Sequence, residues 1–279
     1  MARRSPSIHH QSFGLAGAVM TLTQPSENQH VHGEIEFNLV SGGPLRYLFA
    51  GRSLDFPSDR WLAYWAGLPH CVLGVTQPCE LLWFTVPVTT FLGWDDAGLA
   101  GRLLAGEIIA EAAPRAGARA HAHAIEAALR GDARRRRIAE LEIEAVARRL
   151  ALDARTLAPA LGAARRRVRA PAATGTVERM AAWLADHYRD DVDVAACAAA
   201  AKVHPGYAMT AFRAATGSTV RQYLERLRLA HAQRLLLTSD RDVLAIALDA
   251  GFGSLARFYV AFKRAFAETP AAYRRSRRG

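Results

Sequence analysis

The stretch IALDAGFGSLARFYVAFKRAF, residues 246–266, decides the fold of the C-terminal part of this chain. Small apolar residues up to Ala250 are followed by Gly251, by Ser254 and by an amphipathic run from Leu255. Glycine supplies the left-handed backbone that ends one helix, and serine caps the next, so the pattern predicts a helix, a tight turn and a second helix. A weaker copy stands fifty residues earlier. VAACAAAAK (194–202) aligns with LAIALDAGF (244–252), Phe212-Arg213 with Phe262-Lys263, and Tyr223 with Tyr273. In that copy His204 takes the cap and Pro205 the first helical position, where its missing N–H costs nothing. A duplicated two-helix unit points to binding rather than catalysis.

Between the units, TVRQ (219–222) is a capping box. It opens a helix predicted to run to about Leu237, with Val220, Tyr223, Leu224, Leu227 and Leu235 on one face. At about 1.5 Å per residue this connector is roughly 28 Å long, near the ~34 Å between successive major-groove faces of B-DNA. Charge agrees. Residues 163–279 carry twenty Arg and Lys against ten Asp and Glu, whereas residues 1–162 carry sixteen against sixteen. The formal excess of +10 therefore lies wholly in the C-terminal part. A basic part beside a neutral one is the electrostatic footprint of a nucleic-acid binder.

Residues from about 176 to 275 resemble the DNA-binding domain of the AraC/XylS family of bacterial transcription regulators. The resemblance rests on YLERLRLAHAQRLL (223–236), IALDAGFGS (246–254), FYVAFKRAF (258–266) and TPAAYR (269–274), in that order. It implies two helix-turn-helix units, joined by a long helix, binding one asymmetric site on double-stranded DNA. Carried over residue by residue, the base-facing positions are Gly206, Met209 and Thr210, with Arg213 near the backbone. In the second unit they are Leu255, Ala256, Arg257, Tyr259 and Val260, with Lys263 on phosphate. Here the chain departs from the family pattern, since several of these residues are apolar. Only Arg257 suits bidentate contact with guanine, which leaves more of the recognition to phosphate contacts and DNA shape.

The N-terminal part reads differently. From Phe13 to Pro87, apolar runs at 35–40, 45–49, 61–65, 71–75 and 81–86 alternate with Gly, Pro, Ser and Asp, as in a compact β-barrel or sandwich. The run at 13–20, although preceded by Arg3-Arg4, reads as the first strand rather than a signal peptide. His30-Val-His32-Gly-Glu34-Ile-Glu36, then six residues and Gly43, resembles the first motif of the cupin superfamily, and His70 falls where the histidine of the second would sit. Strand alternation puts His30 and His32 on one face, and likewise Glu34 and Glu36. His30, His32, Glu34, Glu36 and His70 are therefore the candidate effector-binding residues. His30, His32, Glu36 and His70 also form a candidate site for a divalent transition metal. No cofactor is required by this reading, and histidines that only hydrogen-bond within the barrel remain an alternative. WLAYWAGLPH (61–70), with the histidine segment, resembles the melibiose-regulator group of the family and hints at a sugar or another small polar effector. Trp61, Tyr64, Trp65 and Trp83 would suit stacking on sugar faces, although strand aromatics are usually core.

Helices are expected at 97–112, 119–130 and 134–151. Ile138, Leu141, Val146 and Leu150 lie near one face of the last, which serves either as a homodimer seam or as packing on the barrel. His121-Ala-His123 is expected to be exposed. Residues 163–175 lack apolar periodicity and read as a linker. Three cysteines without CxxC spacing fit a reducing, cytoplasmic setting. No Walker loop, dinucleotide fingerprint, HExxH or GxSxG motif is present, so an enzyme is not expected.

The expectation is an α+β multidomain protein. It comprises a cupin-like sensor barrel (1–95), a helical packing or dimerisation segment (96–162), a linker (163–175) and an all-α DNA-binding domain (176–279). The function expected is effector-responsive transcription regulation, as an activator contacting RNA polymerase. The alternatives are a metal-dependent cupin enzyme, a dioxygenase or isomerase with an appended DNA-binding module, and a ligand-independent architectural binder.

Overall fold

A computed structural model describes residues 14–23, 30–75, 77–94, 98–158, 175–216 and 218–278. Apart from Gly175, the expected linker lies outside these residues, as does Phe13 at the start of the first apolar run. The apolar runs of the N-terminal half become strands β1 (Ala16–Leu22), β2 (Ile35–Ser41), β3 (Leu45–Phe49), β5 (Trp61–Trp65), β6 (His70–Val75) and β7 (Cys79–Val86). A further strand, β4 (Arg52–Phe56), joins β3 through a two-residue turn. Ala50 and Gly51 both take positive φ there, the backbone that matches hairpin twist.

Two antiparallel sheets result. The larger has the order β1-β7-β2-β5-β8-β9, with β8 at Ile108–Glu111 and β9 at Ala154–Ala158; the smaller is β4-β3-β6. Their inner faces meet through aromatic rings: Phe49 and Tyr64 are 5.0 Å apart, and the Tyr47 and Tyr64 hydroxyls 2.8 Å. Helices α1 (Val88–Trp94), α2 (Leu99–Leu104), α3 (Ala118–Leu129) and α4 (Ala133–Asp153) complete this half. Because α2 and α4 pack on β5 opposite the smaller sheet, every β5 residue is buried, which explains why WLAYW shows no alternation.

Three expectations need correcting. The helix expected at 97–112 stops at Leu104. Gly106 turns the chain with φ of 90°, and the Ile-Ile-Ala run then pairs with β5 and β9. β-Branched residues beside an open sheet edge favour that outcome over another helical turn. The larger sheet therefore extends past residue 95 to residue 158. On α4, Val146 and Leu150 are buried with Ala139 and Ile143, while Ile138 and Leu141 point to solvent, so the four expected seam residues do not share a face. Finally, His121 and His123 are half-buried, and His123 Nε2 lies 3.0 Å from a carboxylate oxygen of Glu80 on β7.

The C-terminal half is helical: α5 (Thr176–His187), α6 (Val194–Ala200), α7 (Pro205–Thr216), α8 (Val220–Thr238), α9 (Val243–Asp249), α10 (Leu255–Phe266) and α11 (Pro270–Arg278). The caps are the residues that the sequence offers. Asp193, Thr219, Asp242 and Ser254 each accept a backbone N–H of the helix they precede, and Thr219 with Gln222 closes a full capping box. Gly251 has φ of 87°, and a Cβ there would lie 2.8 Å from the Arg189 Cα, so glycine is required by both backbone and space.

The fifty-residue offset is also visible in space. Phe212 of α7 meets Tyr223 of α8 edge-on, with centroids 5.3 Å apart and planes at 86°. Phe262 of α10 meets Tyr273 of α11 at 5.4 Å and 86°. Each edge-on pair fixes the second helix of its unit against the helix that follows, a geometry favoured by the ring quadrupoles. The first unit is tied to the second through Asp249, which bonds Arg189 and Arg241. Next to it His231 on α8 is buried and shares a hydrogen bond with the Tyr188 hydroxyl.

The two halves touch. A Cβ on Gly51 would lie 2.1 Å from the carbonyl oxygen of Ala181, so the β3–β4 turn sits directly on α5. Among the described residues, no helix is long and apolar enough to cross a membrane.

Two predictions concern stability. Ala267 caps α10 in the left-handed region at φ of 59°. Ala267→Gly should stabilise the protein by about 1 kcal/mol in chemical denaturation, whereas destabilisation would show that the left-handed cap is unstrained. The second concerns pH. Burial first, then the charges of Arg234, Arg189 and Arg241, holds the His231 pKa down from 6.5 to about 3. The folded state therefore resists protonation, and the stability this gives is present above pH 6.5 and lost as pH falls towards 3. Between pH 7 and 4.5, wild type should lose about 2 kcal/mol more than His231→Gln. Parallel pH profiles for the two proteins would contradict this.

Candidate functional site

Two surfaces stand out, one on the helical half and one between the two sheets of the N-terminal half. On the helical half, the short helices α6 and α9 are each followed by a tight turn and a longer helix, α7 or α10. Met209, Thr210 and Arg213 on α7 are exposed, and Gly206 is half-buried; Leu255, Ala256, Arg257, Val260 and Lys263 on α10 are exposed, and Tyr259 is half-buried. Their buried neighbours, Ala208 and Phe212 on α7 and Phe258, Ala261 and Phe262 on α10, face the core. Eight of the ten expected DNA-facing residues are thus exposed, while Gly206 is half-buried and Tyr259 packs partly against the core. Tyr207, absent from the expected set, is 60% exposed beside Gly206. The repeat offset would have found it, because Tyr207 stands fifty positions before Arg257.

In the N-terminal half, the segment from His30 to Glu34 runs against the loop that leads into β6. His30 and His70 exchange backbone hydrogen bonds of 3.1 and 3.2 Å, and His32 N–H donates to the Ala66 carbonyl at 2.9 Å. These pairings bring His30, His32, Glu36 and His70 together, with one donor atom from each lying within 4.8 Å of all the others. His32, Glu36 and His70 are buried, and His30 stands at the open edge. Glu34 is displaced from the cluster. Its carboxylate lies behind His32, 3.1 Å from Nδ1, and accepts the Gly14 N–H.

Glu36 is held from several sides. Oε1 accepts from the Tyr64 hydroxyl at 2.6 Å and from Asn38 at 3.0 Å, while Oε2 lies 2.8 Å from His32 Nε2. His70 Nδ1 faces the Leu68 carbonyl at 2.8 Å and must donate, because a carbonyl oxygen can only accept. Its Nε2 points at Glu36 Oε2 from 3.6 Å, too far for a hydrogen bond, and has no hydrogen-bond partner although the residue is fully buried. Electrostatics follow from the geometry. Burial alone would lower His32, but the hydrogen bonds and charges of Glu34 and Glu36 lift it to about 9. Burial would raise Glu36, but His32 and His70 hold it well below the usual carboxylate range.

Beside the cluster lies a cavity of about 170 Å³, lined by His30, His32 and Glu36 and by Met20, Tyr47 and Trp83, among other apolar groups. Trp61, Tyr64 and Trp65 are fully buried in the core, so of the four rings suited to stacking only Trp83 reaches the cavity.

Comparison with known proteins adds to this geometry. Residues 197–276 match a helix-turn-helix domain family. The melibiose operon regulatory protein of Escherichia coli (strain K12) is 26% identical over 250 residues, 88% of this chain and 83% of that protein. The HTH-type transcriptional activator RhaS of Salmonella arizonae is 35% identical over 101 residues, 36% of each chain. Among solved structures, the DNA-binding domain of AdpA, a global transcriptional factor in complex with a target DNA, is 35% identical; it aligns with 38% of this chain and 95% of that one at a TM-score of 0.36. With ordered motifs along the helical half and a regulator similar to it across most of its length, the chain is a DNA-binding transcription regulator similar to those of the AraC/XylS family.

Proposed function

We propose that α7 and α10 are the recognition helices of two helix-turn-helix units that enter consecutive major grooves of one duplex, with α8 setting their spacing. The near-identical Phe212–Tyr223 and Phe262–Tyr273 brackets support this reading most strongly, because they mount both helices in the same way. The outward side chains supply few base-reading groups. Arg257 would read guanine, Tyr207 and Thr210 would add hydroxyl contacts, and Met209, Leu255 and Val260 would meet thymine methyls. Arg213 and Lys263 would bind phosphate and fix register.

The N-terminal barrel is the sensor in this reading, and the effector occupies the cavity beside His30, His32 and Glu36. Its mainly apolar lining suits a compact molecule with an apolar body and one polar end. A sugar, the class suggested by the name of the melibiose relative, would have few polar groups beyond His30, His32, Glu36 and the Tyr47 hydroxyl to satisfy its own hydroxyls. Activation through contact with RNA polymerase is the expected output, in keeping with the activator named among the relatives.

The test is binding of full-length protein to DNA from its own upstream region and to a random duplex of equal length. Arg257→Ala should weaken specific binding by about 1–3 kcal/mol and relax preference at one guanine. Lys263→Ala should weaken binding to both duplexes and reduce the salt slope by about one. Equal losses on both duplexes for Arg257→Ala would make Arg257 a phosphate contact and contradict its assigned role.

A further inference from the structure

We propose that His30, His32, Glu36 and His70 hold a divalent transition-metal ion, and that the DNA-binding half reads its presence through Val31. The second clause rests on the regulator reading above; the first does not.

The donor set fits such an ion. Three imidazoles and one carboxylate suit zinc, nickel, copper or iron rather than calcium or magnesium. His70 is arranged as metal-ligating histidines are, with one ring nitrogen donating to a backbone carbonyl and the other presented bare to the cluster. A fully buried imidazole nitrogen without a hydrogen-bond partner costs free energy unless something binds it, and the position it faces is that of Glu36 Oε2. Glu36 is steadied from behind by Tyr64 and Asn38, which leaves Oε2 directed inward.

Val31 supplies the link to the other half. It lies between His30 and His32, and alternation sends its side chain the opposite way. There it lines a cleft of about 730 Å³ together with Gly67, facing Arg226, Leu229 and Gln233 of α8 and Phe266 at the end of α10. Metal-bound imidazoles sit ~2.1 Å from the ion, so four tetrahedral donors would be roughly 3.4 Å apart. The outermost donors here are up to 4.8 Å apart while His32 Nε2 and Glu36 Oε2 are 2.8 Å apart, so loading must draw the outermost donors in by about an ångström and part the His32–Glu36 hydrogen bond. His30 is the exposed ligand at the rim of the site, and Val31 is the next residue along the backbone. The cleft wall facing α8 therefore shifts with the site, and α8 is the helix that spaces the two units.

The experiment uses full-length protein stripped with chelator. Cobalt(II) titration should show one tetrahedral or five-coordinate d–d spectrum per chain, displaced by zinc, and His30→Ala should weaken cobalt binding about a hundredfold or more while leaving the circular dichroism unchanged. His70→Ala should abolish the spectrum. Zinc should change affinity for the upstream duplex about tenfold in wild type. Val31→Ala should keep the cobalt stoichiometry but reduce that response to less than about threefold. Folded wild type without a stoichiometric cobalt spectrum overturns the site. A stoichiometric spectrum with unchanged DNA affinity overturns the coupling, and equal responses in wild type and Val31→Ala overturn the route. Failure to prefer the upstream duplex with or without metal would count against the regulator reading, and the cobalt spectrum would still judge the site.

Discussion

Burial of α8 along most of its length is the constraint on which the rest of the helical half depends. Tyr223, Leu227, Ala230, Ala232 and Leu236 are almost fully inaccessible, and His231 and Gln233 are buried polar groups whose partners lie outside α8, Tyr188 in the turn after α5 and Tyr273 on α11. A helix buried along its length and held through its middle by two polar contacts cannot bend without breaking them. The separation of α7 and α10 is thereby fixed within the protein, so less ordering entropy would be lost if both enter grooves of one duplex, as proposed.

Rigidity at α8 also shapes how a sensor could act. Among the described residues the N-terminal half faces the helical half at the β3–β4 turn on α5, at Trp65, Leu68 and Leu104 beside Ala230 and Arg234 of α8, and across the Val31–Gly67 cleft opposite α8. Neither recognition helix is required to change its own fold for a signal to pass. A shift in how the barrel rests on α8 would alter access to DNA or to a partner protein while each two-helix unit stays intact, which is how coupling of a few kcal/mol is usually carried between packed domains.

The sequence made some of this legible and hid the rest for identifiable reasons. Caps are local chemistry, so Thr219, Gln222, Gly251 and Ser254 marked the helix boundaries that are observed. Strands with turn residues on both sides were legible for the same reason. The Ile108–Glu111 strand was not, because its apolar run fits a helix as well as a strand and only the open edge of β5 decides between them. The two faces of α4 were confused because Ile138 and Leu141 fall close to the buried stripe in sequence periodicity but outside it in packing. In the barrel, the positions of His30, His32, Glu36 and His70 could be read from motif spacing, yet Glu34 could not be separated from Glu36. Two bends at Gly33-Glu34 break the strand alternation on which the expectation relied. Tyr207 was passed over because positions were carried from the family pattern rather than from the chain's own repeat.

In the proposed mode of binding, two recognition helices, spaced by α8, engage consecutive major grooves on one side of a single duplex. Hydroxyl-radical footprinting of the full-length protein on its upstream site measures this directly. Two protected windows about 10 base pairs apart on the same face of the helix are expected, with Arg257→Ala weakening one window more than the other. A single protected window, or two windows on opposite faces, would contradict it.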